Sequence, residues 1–143
     1  MNEFLAGSRS EWATRTLSVV RIMAGLLFME HGLAKLFGFP TAAAHPQMFH
    51  LLWFAGVLET FGGLLIVVGL FTRPVAFLLS GEMAVGYFMS HEPRNFFPML
   101  NGGDAAVLYC FIFFYLFVAG GGVWSLDHFL FRTPRQSYTA IET

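Results

Sequence analysis

Six ionisable side chains lie in segments of this sequence apolar enough for lipid. Residues 21–35 read RIMAGLLFMEHGLAK, which places Arg21, Glu30, His31 and Lys35 in one stretch. Glu59 sits in WFAGVLETFGGLLIVVGL and Glu82 in AFLLSGEMAVGYF. A charge at the centre of a bilayer costs about 2.5–3.5 kcal/mol even on the mildest insertion scale, so such groups are kept for proton relays, ligand sites or fixed ion pairs. Pairing is the economical arrangement, with one of the two glutamates able to stay protonated. Histidines add a second chemistry: His31 and His91 fall at similar depth in a helical reading, as two axial haem ligands in a bundle would. A quinone headgroup fits these residues better than haem. It asks only for hydrogen-bond partners and an apolar slot.

Composition limits what else the chain does. Hydrophobic residues make up 56% of its 143 residues and charged residues 12%. Soluble domains carry about 25% charged residues, so water is not the only solvent here. A net charge of −1 argues against a nucleic-acid partner, which would call for a basic excess. The one cysteine, Cys110, forms no internal disulfide, CxxC pair or multi-cysteine metal site. It reads as a small apolar helix residue. No metal site is expected, and no motif demands a cofactor.

These groups must be positioned by membrane helices. A span needs about 20 mostly apolar residues, and four windows qualify, at about 16–37, 51–71, 74–92 and 105–123. The expected fold is therefore all-α, an integral membrane four-helix bundle forming a single domain over 1–143. A short polar segment, about 1–15, precedes it, and a polar, loose tail, about 128–143, follows. The first apolar window is too long for a signal-peptide core and lacks an A-x-A site, so it reads as a retained span. Thr72-Arg73-Pro74 makes a tight hairpin between the second and third windows, with Pro74 in the first helical turn. The stretches PTAAAHPQMFH and EPRNFFPMLNGGD are loops, and Asp104 is the expected N-cap of the last helix. On the side of the termini lie Arg9, Arg15, Arg73, Arg132 and Arg135, against Lys35 and Arg94 opposite. That asymmetry puts both termini in the cytoplasm.

Helical periodicity assigns faces. Ala55, Gly56, Gly62, Gly63 and Gly69 share the side of Glu59, with Phe54, Val57, Phe61, Leu64, Leu65 and Val68 opposite. Small residues mark close helix approach in membranes, so Glu59 is expected to face the bundle. In the first span Arg21, Ala24, Gly25, His31, Gly32 and Lys35 share one face, and Glu30 lies opposite Arg21, toward lipid, a partner or the outer interface. Gly25, Gly32, Gly62 and Gly63 are the expected packing glycines. By rise per residue, Arg21 lies about 8 Å from the cytoplasmic end, Glu82 about 12 Å, Glu59 about 18 Å and His31 about 22 Å. Arg21 is thus expected to meet Glu82 or Glu59 in a polar cluster, which is either a proton or ligand site or an ion pair fixing helix register. His31, Lys35 and His91 form an outer group, with His50 nearby. Phe111, Phe113, Phe114 and Phe117 are expected to face lipid, and Trp53, Trp124 and Tyr109 to sit in aromatic belts.

Four stretches, MEHGLAKLFGF, GVLETFGGLLIVVGLFTRPVA, NGGDAAVLY and GGGVWSLD, resemble the DoxX family of small four-helix bacterial membrane proteins. The most specific parts are E-x-x-G-G (Glu59, Gly62, Gly63) and W-S-x-D (Trp124, Ser125, Asp127), with G-x-x-K at Gly32 and Lys35. The resemblance implies the bacterial inner membrane. Its name-giving relatives include a membrane subunit of a thiosulfate:quinone oxidoreductase, and others look like accessory proteins in redox-stress and catabolic systems. It therefore implies a quinone-linked subunit or helper working with other membrane or redox proteins, or with copies of itself, rather than an autonomous enzyme. The rival readings are a structural or assembly subunit and, last, a small transporter, for which the chain shows no broken helix.

Overall fold

The computed structural model describes residues 2–40 and 46–131, with side-chain environments from residue 10 onward. The loop around Thr41 and the tail with Arg132 and Arg135 lie outside the described residues. Those described are helical, with no strand among them. Helix α1 runs Asn2–Phe37, α2 Leu51–Val68 and α3 Thr72–Gly86. A π turn, Tyr87–His91, extends α3. Helix α4 is the short Pro98–Asn101, α5 is Asp104–Ala119 and α6 is Leu126–Phe131.

Helix α1 starts far before the apolar window because nothing in the polar segment breaks a helix. Its exposed turns carry an Arg15–Glu11 pair at 3.6 Å. The 28 residues Ser10–Phe37 and all of α2 are long and apolar enough to cross a bilayer. Helix α2 stops at Gly69, whose φ of +71° is the left-handed conformation glycine adopts without penalty. Its N–H and that of Leu70 both reach the carbonyl of Leu65. Asp127 then starts α3. Its carboxylate accepts from the N–H of Phe71 at 2.7 Å and of Thr72 at 2.8 Å. Helix α5 begins one residue earlier than expected. Gly103 occupies the cap, and Asp104 stands in the first turn, where a negative charge favours the helix dipole.

Two helix pairs result. In the α1/α2 pair the backbones nearly touch. A Cβ on Gly25 would sit 2.9 Å from the Val67 nitrogen, one on Gly32 2.5 Å from that of Thr60, and one on Gly63 3.0 Å from the Met29 nitrogen. In the α3/α5 pair Ser80 donates to the Cys110 carbonyl at 2.9 Å. Phe28, Ile66, Ala76, Leu79, Phe113 and Leu116 form the core joining the pairs. Phe113 is fully buried, edge-on to Phe28 at 4.8 Å, which corrects its expected lipid-facing position. Phe111, Phe114 and Phe117 do point outward, as do Phe54, Phe61, Leu64 and Val68 of α2. So much exposed apolar surface belongs in a bilayer rather than in water.

A cleft between two helix pairs as the candidate functional site

The two pairs are joined at the Phe28–Phe113 level and part beyond it. Between them opens a cleft of about 860 Å³, lined from all four long helices. Its lips are exposed apolar side chains, Leu51, Leu52, Phe54 and Leu58 of α2 facing Leu78, Val85 and Met89 of α3 and its π turn. Its polar wall comprises His31, Lys35, Glu59, Glu82, His91 and Tyr109.

Lys35 and Glu59 form an ion pair. The close approach of the backbones at Gly56 and Gly32 makes it reachable, with Gly56 packed directly against the Lys35 stem. A helical side chain leans toward its own N-terminus, which carries the Lys35 ammonium inward to the level of Glu59. Cα depth alone groups Lys35 with the outer histidines; the lean of its stem is what brings the ammonium to Glu59. Glu59 is 2% exposed. Its second oxygen, Oε2, and both carboxyl oxygens of Glu82 are buried without a hydrogen-bond partner among the described residues.

Arg21 is elsewhere, and the expected Arg21–Glu59–Glu82 cluster is not formed. Its side chain is fully buried at the closed end of the bundle. Nε donates to the Gly121 carbonyl at 2.8 Å, Nη1 to the carbonyls of Ile66 and of Val67 (2.6 Å), and Nη2 to that of Trp124 at 2.6 Å. The physical reason is the C-terminus of α2. Its last carbonyls are at most partly satisfied within the helix, that of Ile66 by the Gly69 N–H at 3.2 Å, and carry the negative end of the dipole. Side-chain pairing rules overlook backbone acceptors of this kind. Ser18 completes the arrangement by accepting from the Trp124 N–H at 3.1 Å. The W-S-x-D stretch is thus a clasp: Trp124 on Arg21, Ser125 on the Gly122 carbonyl and Asp127 on α3.

His91 reaches the cleft because the π turn adds a residue to the helical repeat and rotates it toward the wall that Glu82 shares. An ideal α-helix would aim it away. Its Nδ1 lies 3.2 Å from the Asn101 carbonyl and its ring stacks on Tyr87 at 6.2 Å. Sequence reasoning missed Tyr87 and Asn101. Buried Asn101 donates to the Asn95 carbonyl at 2.6 Å and to Tyr87 Oη at 3.2 Å, and its Oδ1 accepts from Gly103 N–H at 2.7 Å. A polar residue opening N-G-G-D was the available signal. Tyr109 does not lie in the expected aromatic belt. It packs inside, against Phe28 at 5.2 Å and His31 at 6.0 Å. His50 is the exposed residue before α2 and Glu30 is exposed on α1. Neither lines the cleft.

The sequence model of the DoxX family matches residues 16–92. An uncharacterized protein of Haemophilus influenzae (strain ATCC 51907 / DSM 11121 / KW20 / Rd) is 40% identical over 126 residues, covering 81% of this chain and 91% of that one. No solved structure matches.

Proposed function

Since the chain belongs to the DoxX family and is a membrane protein in contact with the lipid bilayer, we propose that it is an accessory subunit of a quinone-linked redox system, folded as a single-domain four-helix bundle. The four crossings are α1, α2, α3 with its π turn, and α5, in a bacterial inner membrane with both termini cytoplasmic. The 15 residues of α3 and 5 of the π turn together make a 20-residue span. The 16 residues of α5 reach about 24 Å, a mismatch that local thinning of the bilayer absorbs.

The cleft carries this reading. Its apolar lips open sideways between α2 and α3, so a ligand enters from the lipid rather than from water. A quinone tail lies along the lips and its ring against Lys35, His31 and Tyr109. Wide apolar clefts with a few convergent polar groups are the usual form of small-molecule sites. With a single cysteine, the chain leaves the redox centre to a partner protein. Purification in mild detergent followed by organic extraction tests this: near-stoichiometric quinone in the parent protein, lost in Lys35→Met, supports the reading, and quinone no higher than in the surrounding lipid sinks it.

A structural or assembly role is the second reading. One observation favours it for one charge: Arg21 spends its donors on backbone carbonyls at the closed end. That charge fixes packing, while the cleft groups remain free to act.

A further inference from the structure

We propose that the cleft takes the reduced, dihydroxy form of its ligand, a lipid-tailed hydroquinone, in preference to the oxidised diketone. This rests on reading the cleft as a quinone-type site. It is carried by buried acceptors that no donor among the described residues satisfies.

Two residues that line this cleft hold three carboxyl oxygens buried without a donor among the described residues: Oε2 of Glu59 and both oxygens of Glu82. Glu59 is more than nine-tenths buried, and its other oxygen is already held by Lys35. Buried acceptors left unmade are costly, so an occupant that donates to them gains more than one that cannot. A quinone offers two carbonyl oxygens and no donor. Set against an ionised carboxylate, those oxygens repel, and a protonated glutamate offers them a single O–H at most. A hydroquinone offers two O–H donors, and each hydroxyl oxygen still accepts. The same ring can therefore donate to Glu59 or Glu82 and accept from Lys35 or Tyr109 on the neighbouring wall. A carbonyl could use only the second half of that set, plus at most the one O–H of a protonated glutamate. The apolar lips at Leu58 and Val85 take the tail of either form equally, so discrimination falls on the polar wall alone.

The test is anaerobic equilibrium binding to the full chain in lipid nanodiscs. The probes are decylubiquinone, decylubiquinol and the dimethyl ether of decylubiquinol, which keeps the ring and tail but has no O–H. Decylubiquinol should bind about tenfold more tightly than either other probe, as one or two added hydrogen bonds to buried carboxyls require. Glu82→Met removes two of the orphan acceptors, and among the described residues Glu82 holds no partner whose loss would unfold the bundle. In that variant the advantage should fall to roughly threefold or less. Glu82→Gln preserves the shape, brings its own donor and should reduce the advantage as well, which keeps the test open if Glu82→Met melts early. Quinone binding as tightly as quinol would overturn this inference and leave the quinone reading standing. An undiminished quinol advantage in both variants would overturn it too. If no probe binds above the lipid background, both fall together.

Discussion

Replacing Arg21 should be among the most costly single changes in the bundle. Its guanidinium is fully buried and donates to four carbonyls drawn from two separate parts of the chain, α2 and the segment 121–124. Hydrogen bonds to a charged group are worth about 1.5–3 kcal/mol each. The four do not add, because water and lipid headgroups recover part of the loss in the variant. Deleting the guanidinium leaves buried carbonyls without their donor, at about 1–3 kcal/mol for each one that water cannot reach, so Arg21→Met is expected to lose about 3–5 kcal/mol. Arg21→Lys is the sharper probe. An ammonium is a point donor and cannot span carbonyls on both segments as the planar fork does. It should lose about 2–3 kcal/mol, the equivalent of one to two charge-assisted bonds. The assay is reversible unfolding in mixed micelles, followed by circular dichroism. A double-mutant cycle with Glu82→Gln should be additive within about 0.5 kcal/mol, since the groups share no partner. An Arg21→Lys variant as stable as the parent would refute the fork geometry. Rescue of Arg21→Met by Glu82→Gln would refute the separation of the two sites.

Lys35→Met should destabilise by about 3–5 kcal/mol by stranding Glu59, and adding Glu59→Gln should recover part of that in a stability cycle; no recovery would mean the pair is not formed. Gly63→Ala should cost more than Gly62→Ala, because the first Cβ meets the Met29 backbone at 3.0 Å and the second only the flexible Leu79 tip at 2.8 Å. Overpacking of the first kind costs about 1–3 kcal/mol, and thermal melts in detergent reporting equal losses would contradict the helix spacing. Asp127→Ala should cost about 1–2 kcal/mol through the lost α3 cap, with Asp127→Asn in between. Cysteine reporters after residue 131 and in the loop near Thr41 should label from opposite sides of the membrane; labelling from one side would remove a span.

The buried face of α2 was legible in the sequence. Gly56, Glu59, Gly62 and Gly63 recur at helical spacing, and all are buried, because small residues and lipid-facing bulk separate cleanly at 100° per residue. The hairpin was legible, but its place was not: Thr72-Arg73-Pro74, expected as the turn, opens α3, and the turn falls at 69–71. Pairing was not legible. Arg21 found backbone carbonyls that exist only once α2 ends and the 121–124 segment folds over it, and no spacing rule encodes those. Lys35 was misplaced because depth along an axis ignores the reach of a long stem. His91 depended on a π turn, whose extra residue shows only in the folded chain. Phe113 looked like its neighbours Phe111 and Phe114. Burial picked it out because α5 turns one phenylalanine onto Phe28.

Photolabelling tests the central claim most directly. The full chain in nanodiscs would be irradiated with an azido-quinone carrying a decyl tail, and the adducts mapped by peptide mass spectrometry. The account predicts adducts concentrated on the cleft, at Leu58, Val85, Met89 and Tyr109, and suppressed by excess decylubiquinone. Adducts spread over the outer faces at Phe77, Phe111 and Phe117, unaffected by competitor, would contradict it.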